Sequence, residues 1–348
     1  MNGVAQGVNS ADIHVADKVA FLKRCDSYPH DPSPCVEAIE THMSWVFLTN
    51  HYAYKLKKPV RFPFLYFSSI DARHRDCEKE LRLNARLAPG VYLEIVPLIA
   101  RADGRMQLGG SGKTIDWLVK MRRLPAERML DELIRQQKAS VADVDAAAHL
   151  LTDFYQTASP VEISALEYRQ RFIDGIYLNL QELTRPLFGL PAALVIRICA
   201  NQLDFIHRYQ NYFDDRVNRG RILETHGDLR PEHICLESPP VIFDCLQFKR
   251  ELRLMDPLDE LAFLAMECEY LNAAAIGHRF IDIYLEATGD RGIAGLMHFY
   301  ASYRASLRAR LSVWHLLDQR PQFNEKWVSR GSDYLNLAQT HADHMIGE

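Results

Sequence analysis

The stretch Thr225-His226-Gly227-Asp228-Leu229-Arg230-Pro231-Glu232-His233-Ile234 gathers five ionisable side chains and one proline into ten residues, and the apolar run Val241 to Phe248 follows it with Asp244 in its middle. His233 comes five positions after Asp228, and Asp244 eleven after His233, which suits a loop, a strand and a second loop. Carboxylates and imidazoles in such places can move a proton or hold a cation. Taken singly, an aspartate or histidine in a turn is more simply a local hydrogen-bond partner or a helix cap. A metal-dependent hydrolase built on His226, Asp228, His233 and Asp244 is disfavoured, because such sites use HxH or HExxH spacing and this stretch has neither.

A second candidate, Gly109-Gly110-Ser111-Gly112-Lys113-Thr114, ends like the phosphate-binding GxxxxGK[ST] loop but has Gln107 where the first glycine belongs. It also lies between two strand patterns, whereas a P-loop must open a helix. It reads as a hairpin tip.

The elements that must position these residues follow from periodicity. A short helix is expected around Ala16 to Cys25, and the turn formers of SYPHDPSPC make a loop. SWVFLTNHYAYKLKKPV carries two β-branched and aromatic runs about Asn50-His51, a hairpin. Asp71 to Leu87 is helical and is closed by Ala88-Pro89-Gly90. On that helix Cys77, Leu81, Leu83, Asn84 and Leu87 share one side with Glu80 among them, and a carboxylate aimed at a core requires a cationic partner. VYLEIVPLIAR and TIDWLVKMRRL read as strands joined by a loopy connection. From Pro125 helical patterns dominate, broken only by the strand-like region around the opening stretch, so Arg122 to Pro125 is the expected boundary.

Composition narrows the classes. The 348 residues are 48% hydrophobic and 25% charged, enough for two lobes with real cores. A net charge of -4 and a sequence pI near 6.4 argue against a nucleic-acid binder. No apolar run reaches a membrane span, the N-terminus lacks signal-peptide character, and seven cysteines without a CxxC pair suit a reducing compartment. The expectation is a cytoplasmic protein without a membrane or nucleic-acid partner.

HGDL at 226–229, the histidine at 233, the apolar strand and Asp244 together resemble the catalytic segment of the aminoglycoside phosphotransferase and choline kinase branch of the protein-kinase-like fold. There HGDLxxxN precedes a strand and a metal-binding aspartate. Ala53-Tyr54-Lys55 resembles the A-x-K of the kinase third strand, and Glu80 matches the helix glutamate that pairs with that lysine. Closer still is the likeness to a bacterial subset in which THMSWVFLT, YAYKLKKPVRFPF, HGDLRPEHI and ELRLMDPLDELAFLAMECE recur. Those proteins often carry a further P-loop ATPase domain, for which this chain has no room, so a separate P-loop ATPase is an expected partner. The likeness runs from about Ala16 to the C-terminus.

The resemblance implies an α+β, protein-kinase-like bilobal fold: a flexible lead-in at 1–15, a small β-rich lobe with one helix at 16–123, and a larger helical lobe at 124–348. It implies transfer of the γ-phosphate of ATP, with Mg²⁺ or Mn²⁺, to a hydroxyl of a small molecule. Asp228 would be the catalytic base or orienter, and Asp244 the main metal ligand. Lys55 would sit on the phosphates with Glu80 fixing it, and Lys57, on the same strand face, is the fallback. Ser44 would assist at the phosphates, in a loop without the usual glycines. Ala53, as the alanine of A-x-K, joins the nucleotide-binding set, as do Met121 and Arg123 at the expected hinge.

His233 stands where most of the family has an asparagine metal ligand, so the resemblance makes it a metal ligand beside Asp244, and its imidazole either favours a softer metal than magnesium, such as manganese, or leaves one metal site weak. Asp256 and Asp259 read as a helix start and a loop anchor. Asp131, Glu132, Glu267 and Glu269 are either attractors of a cationic acceptor or a solvated acidic face. The alternative to an enzyme is a kinase-like nucleotide-binding regulatory module with little turnover, which His233 and the missing glycines favour.

Overall fold

The computed structural model describes residues 13–62, 65–291, 293–317 and 324–345; most of the stretch expected to be flexible, up to residue 12, lies outside them. The chain packs as two compact units, residues 1–126 with 241–250, and residues 127–240 with 251–348.

In the first unit helix α1 (Val15–Leu22) precedes the antiparallel strands β1 (Glu37–Glu40), β2 (Ser44–Leu48) and β3 (Tyr52–Lys57). A small ladder of β4 (Arg61–Phe62) with β5 (Leu65–Tyr66) leads to helix α2 (Ile70–Asn84), and β6 (Tyr92–Ala100), β7 (Met106–Leu108) and β8 (Lys113–Arg122) complete the sheet. Its strand order is β1-β2-β3-β8-β6-β7. The two-residue period of β3 divides its side chains. Tyr54 and Leu56 enter a core with Phe47, Val19, Leu22, Leu98 and Leu118, and Lys55 and Lys57, of opposite parity, meet α2. Buried Asp116 on β8 binds Lys18 of α1 (2.8 Å) and Arg73 of α2 (2.8 and 3.0 Å), an ion cluster that ties both helices to the sheet.

The expected hairpin turns at Asn50-His51, where the aspartate of SYPHDPSPC, Asp31, holds the His51 N–H at 3.0 Å. One strand lies inside the connection expected to be loop, and another in a stretch to which the sequence pattern gave no element. β7 pairs with β6 inside the connection, and acidic β1 pairs with β2. The glycines of the P-loop lookalike form the turn between β7 and β8, not a helix start.

The second unit comprises α3 (Leu130–Arg135), α4 (Val141–Thr157), α5 (Ala165–Leu183), α6 (Ala192–Arg208), α7 (Gln210–Asn218), α8 (Pro257–Tyr270), α9 (Ala274–Thr288), α10 (Ala294–Trp314) and α11 (Asn324–His344). A short ladder of Leu223–Glu224 with Leu254–Met255 sits among them. Helix α8 is buried nearly all round and forms the unit's axis. Gly277 lets α9 approach it: a Cβ there would stand 2.5 Å from the Cα of Ala265. Phe172, Phe205, Phe213, Phe299 and Tyr300 supply an aromatic core. Among the described residues no helix is long and apolar enough to cross a membrane.

Candidate functional site

In the first unit Glu80 is fully buried and lies between two lysines. Its Oε1 accepts from Lys55 Nζ at 2.8 Å and its Oε2 from Lys57 Nζ at 2.5 Å. The cationic partner required by an inward carboxylate is therefore a pair. Lys57 is itself buried and also lies 2.7 Å from Asp76, whereas Lys55 retains some exposure and reaches Asp244 Oδ1 at 2.7 Å. Burial alone would drive each lysine towards neutrality, but the facing carboxylates hold both above the ordinary lysine range, Asp244 and Glu80 acting on Lys55 and Glu80 and Asp76 on Lys57. The same balance keeps Glu80 ionised: burial opposes its charge, and Lys55 and Lys57 lower its pKa regardless.

Asp244 takes a left-handed backbone conformation, φ 58°, which is rare for a residue other than glycine and is sustained only by its surroundings. Those surroundings are specific. The Tyr92 hydroxyl accepts from the Asp244 N–H at 3.1 Å, Asn84 Oδ1 accepts from the next N–H, of Cys245, at 2.8 Å, and Arg86 Nη2 donates to the Cys245 sulfur at 3.2 Å. The end of α2 and the start of β6 thus aim a carboxylate that is 38% exposed, with one oxygen on Lys55. A hard oxygen donor on a partly open side chain fits a magnesium or manganese ion.

The other expected nucleotide residues occupy sheet positions. Ser44 is buried opposite Lys57, and its N–H donates to Thr41 Oγ1 at 3.0 Å. Ala53 lies between Leu48 of β2 and Met121 of β8, and Met121 is itself in the sheet's packed interior. Arg123 continues the ladder, donating its N–H to the His51 carbonyl (2.8 Å) and a guanidinium N–H to the Thr49 carbonyl (2.6 Å), which braces the hairpin tip.

In the second unit the HGDL loop is hung from one carboxylate. Glu260 of α8, fully buried, accepts from Thr225 Oγ1 (3.0 Å), the His226 N–H (3.1 Å), the Gly227 N–H (2.5 Å) and the Tyr155 hydroxyl (2.8 Å). Gly227, at φ 89°, makes the bend that brings these donors together. The expected helix start is Asp256, whose side chain caps the Leu258 N–H at 3.0 Å and pairs with Arg216 at 2.6 and 2.7 Å. Asp259 pairs with Arg304, so the loop anchor is its neighbour Glu260.

Beyond the bend, Asp228 presents a one-third exposed carboxylate 3.1 Å from Arg230 Nη2. Burial would raise its pKa, but Arg230 first, then His233, Arg308 and His226, bring it below the ordinary value, so it is ionised at neutral pH. His233 Nδ1 lies 2.8 Å from the Asp228 carbonyl, to which it must donate, and Nε2 lies 3.0 Å from the guanidinium of Arg230, from which it accepts. With both ring nitrogens engaged and a cation at one of them, His233 does not fit a metal ligand in this arrangement. It braces the loop from its far side. Among the described residues no cluster of three or more histidine, cysteine or carboxylate ligands has a metal-holding geometry.

The four acidic residues considered as acceptor attractors are engaged as well. Asp131 and Glu132 pair with Arg135, Glu267 with Arg308 and the Tyr334 hydroxyl, and Glu269 with His341.

Comparisons with known proteins agree with this architecture. No protein-family model matches the sequence. Uncharacterized proteins of Mycobacterium tuberculosis and Mycobacterium bovis are 31% identical over 329 residues, 92% of this chain and 62% of theirs, so the chain spans about three fifths of the length of these relatives. Among solved structures, a choline/ethanolamine kinase family protein from Mesorhizobium loti aligns over 96% of this chain and 100% of its own, with a TM-score of 0.54 and 15% identity. The GDP complex of wild-type aminoglycoside 2'-phosphotransferase-IIIa aligns over 94% and 99%, with a TM-score of 0.54 and 15% identity, and a GDP and kanamycin complex of an APH(2") enzyme over 93% and 98%, at 0.53 and 14%. The chain therefore has the fold of these kinases, which fits the resemblance read from its sequence.

Proposed function

We propose that this protein is an ATP-dependent phosphotransferase that moves the γ-phosphate to a hydroxyl of a small molecule. The observation that carries the reading is the ion cluster of the first unit: on a kinase fold, the lysine of A-x-K is held by a buried helix glutamate and reaches a partly exposed aspartate on a strained backbone. In this reading Lys55 supplies positive charge to the phosphate oxygens of the nucleotide, and Glu80 keeps it charged and in place. Asp244 holds a divalent cation, magnesium or manganese, which when bound neutralises phosphate charge. Asp228, ionised and fixed by the Glu260-anchored loop, accepts the hydrogen bond of the attacking hydroxyl and takes its proton. His233 keeps the loop's shape through the Asp228 carbonyl.

The test is nucleotide binding. ATP or ADP with Mg²⁺ or Mn²⁺ at a hundredfold excess over its dissociation constant stabilises the folded protein by about 2.7 kcal/mol, read as a rise in unfolding temperature, and Lys55→Met removes most of that rise. The absence of a rise with any nucleotide would sink the reading. A second reading, a nucleotide-binding module without turnover, is favoured by one observation, the engagement of both His233 nitrogens. It requires nucleotide binding without ADP release.

A further inference from the structure

The charges around the catalytic loop do not suit a cationic acceptor. Of the carboxylates the sequence offered for that purpose, Asp131, Glu132 and Glu267 each pair with an arginine, and Glu269 is engaged by the His341 ring. The second unit also holds a cation without an acidic partner among the described residues. Arg330 of α11 is half-buried, forms no ion pair with any carboxylate among the described residues, and has a buried Nε that finds no acceptor. Its neighbours are the rings of Tyr270, Trp327 and Tyr334, with the guanidinium 5.7–6.0 Å from each centroid. Aromatic faces stabilise a guanidinium without engaging its in-plane N–H donors, and of these only Nη2 has a protein acceptor among the described residues, a long bond to the Tyr334 hydroxyl at 3.4 Å.

Those donors are close to a second arginine. Arg330 Nη2 and Arg308 Nη2 each lie 3.4 Å from the same atom, the Tyr334 hydroxyl oxygen. One carboxylate serves this pair: Glu267 accepts from Arg308 Nε at 2.6 Å and from the Tyr334 hydroxyl at 2.9 Å. The arginine pair is tied to the catalytic loop through α8, whose Glu267 holds Arg308 and the Tyr334 hydroxyl, and Arg308 is among the cations that lower the pKa of Asp228. Helix α8, which carries both Glu267 and the Glu260 that suspends the loop, packs on the turn at Pro231–His233.

We propose that Arg330, with Arg308 beside it, forms an anion subsite for the acceptor, so that the molecule phosphorylated carries a carboxylate or a phosphate group as well as its reacting hydroxyl. This rests on the phosphotransferase reading for its catalytic meaning, but binding of the anion does not. A guanidinium presents paired N–H donors that match the two oxygens of either group.

Four hexose derivatives of matched size test it: gluconate, glucose 6-phosphate, glucosamine and glucose, each read as a rise in the unfolding temperature of the full chain at millimolar concentration. At least one anionic probe raises the midpoint of the wild type, glucose and glucosamine do not, and which anion acts distinguishes carboxylate from phosphate. Arg330→Gln weakens the half-saturation of that probe by about tenfold or more, and Arg330→Lys, which keeps the charge but loses the paired donors, falls between. Should Arg330→Gln fail to fold, the lysine variant carries the comparison. An equal response in wild type and both variants, a response to glucosamine alone, or no response to either anion overturns the proposal. ADP with Mg²⁺ forms a separate arm: its failure to bind would sink the phosphotransferase reading, and the anion arm would still decide the subsite.

Discussion

Glu80→Gln removes one charge while keeping the side chain's shape, and its neighbours determine the cost. Three carboxylates, Asp76, Glu80 and Asp244, face two lysines, so the substitution leaves one carboxylate for each lysine: Asp76 for Lys57 and Asp244 for Lys55. Breaking a buried pair so that a charge is orphaned costs about 3–5 kcal/mol. Neither lysine is orphaned here, but the amide oxygen can accept from only one of them and the amide NH2 faces the other, so one charge-assisted hydrogen bond of about 1.5–3 kcal/mol is lost and a donor is set against a donor, partly offset by the restored charge balance. The expected loss is about 3 kcal/mol at neutral pH, a fall of roughly 10 °C in the unfolding temperature of a unit of this size. The pH dependence has a definite sign. Because the folded-state pKa of Glu80 lies below its ordinary value of 4.5, its contribution is complete above that value and fades as pH falls through the lower, folded-state one. Thermal unfolding of wild type and variant from about pH 3 to about pH 8, which spans the acid titration and the neutral plateau, therefore shows a gap that is constant at neutral pH and narrows below about pH 4. A variant as stable as the wild type at pH 7, or a gap that widens on acidification, would refute the reasoning.

Two other substitutions probe the second unit. Glu260→Ala leaves the Thr225 hydroxyl, the His226 and Gly227 amides and the Tyr155 hydroxyl without their common acceptor, and is expected to lower stability by about 3–5 kcal/mol. Hydrogen exchange at the 226–227 amides should rise in parallel; unchanged protection there would contradict the suspended-loop geometry. Gly277→Ala forces a methyl against the backbone of Ala265 and is expected to destabilise by about 1–3 kcal/mol in denaturant unfolding, through separation of α8 from α9, whereas a neutral result would mean that the two helices part at no cost.

How much of the fold and the site is legible in the sequence depends on how far apart the partners lie. The hairpin at Asn50-His51 and the inward position of Glu80 were legible because each depends on a local period. Strand β1, Glu37–Glu40, was not: its acid-flanked residues are poor strand formers, and it is held by pairing with β2 at the sheet edge. Lys57 shared with Lys55 on Glu80 was half-legible, since the strand period puts both lysines on one face, but the arrival of Asp76 needs the docking of α2. Tyr92 and Asn84, which hold the strained Asp244, are 152 and 161 residues away from the segment they brace. The anchoring of the HGDL loop fell to Glu260 rather than Asp259 because one step along α8 turns the side chain by about 100°. Among the acidic residues, the Asp131 pairing with Arg135 could have been read from its i,i+4 spacing. Glu267 with Arg308 joins two helices and left no local signal.

Asp228 is proposed to act on an acceptor hydroxyl in ATP-dependent phosphoryl transfer. Its most direct test is ADP release from ATP and Mg²⁺, measured for wild type and Asp228→Asn across an acceptor panel that includes gluconate and glucose 6-phosphate, with each protein's unfolding temperature as the control for folding. Acceptor-dependent turnover is expected in the wild type, with a loss of about 10²–10⁴-fold in a folded Asp228→Asn protein. Turnover that survives the substitution would contradict it.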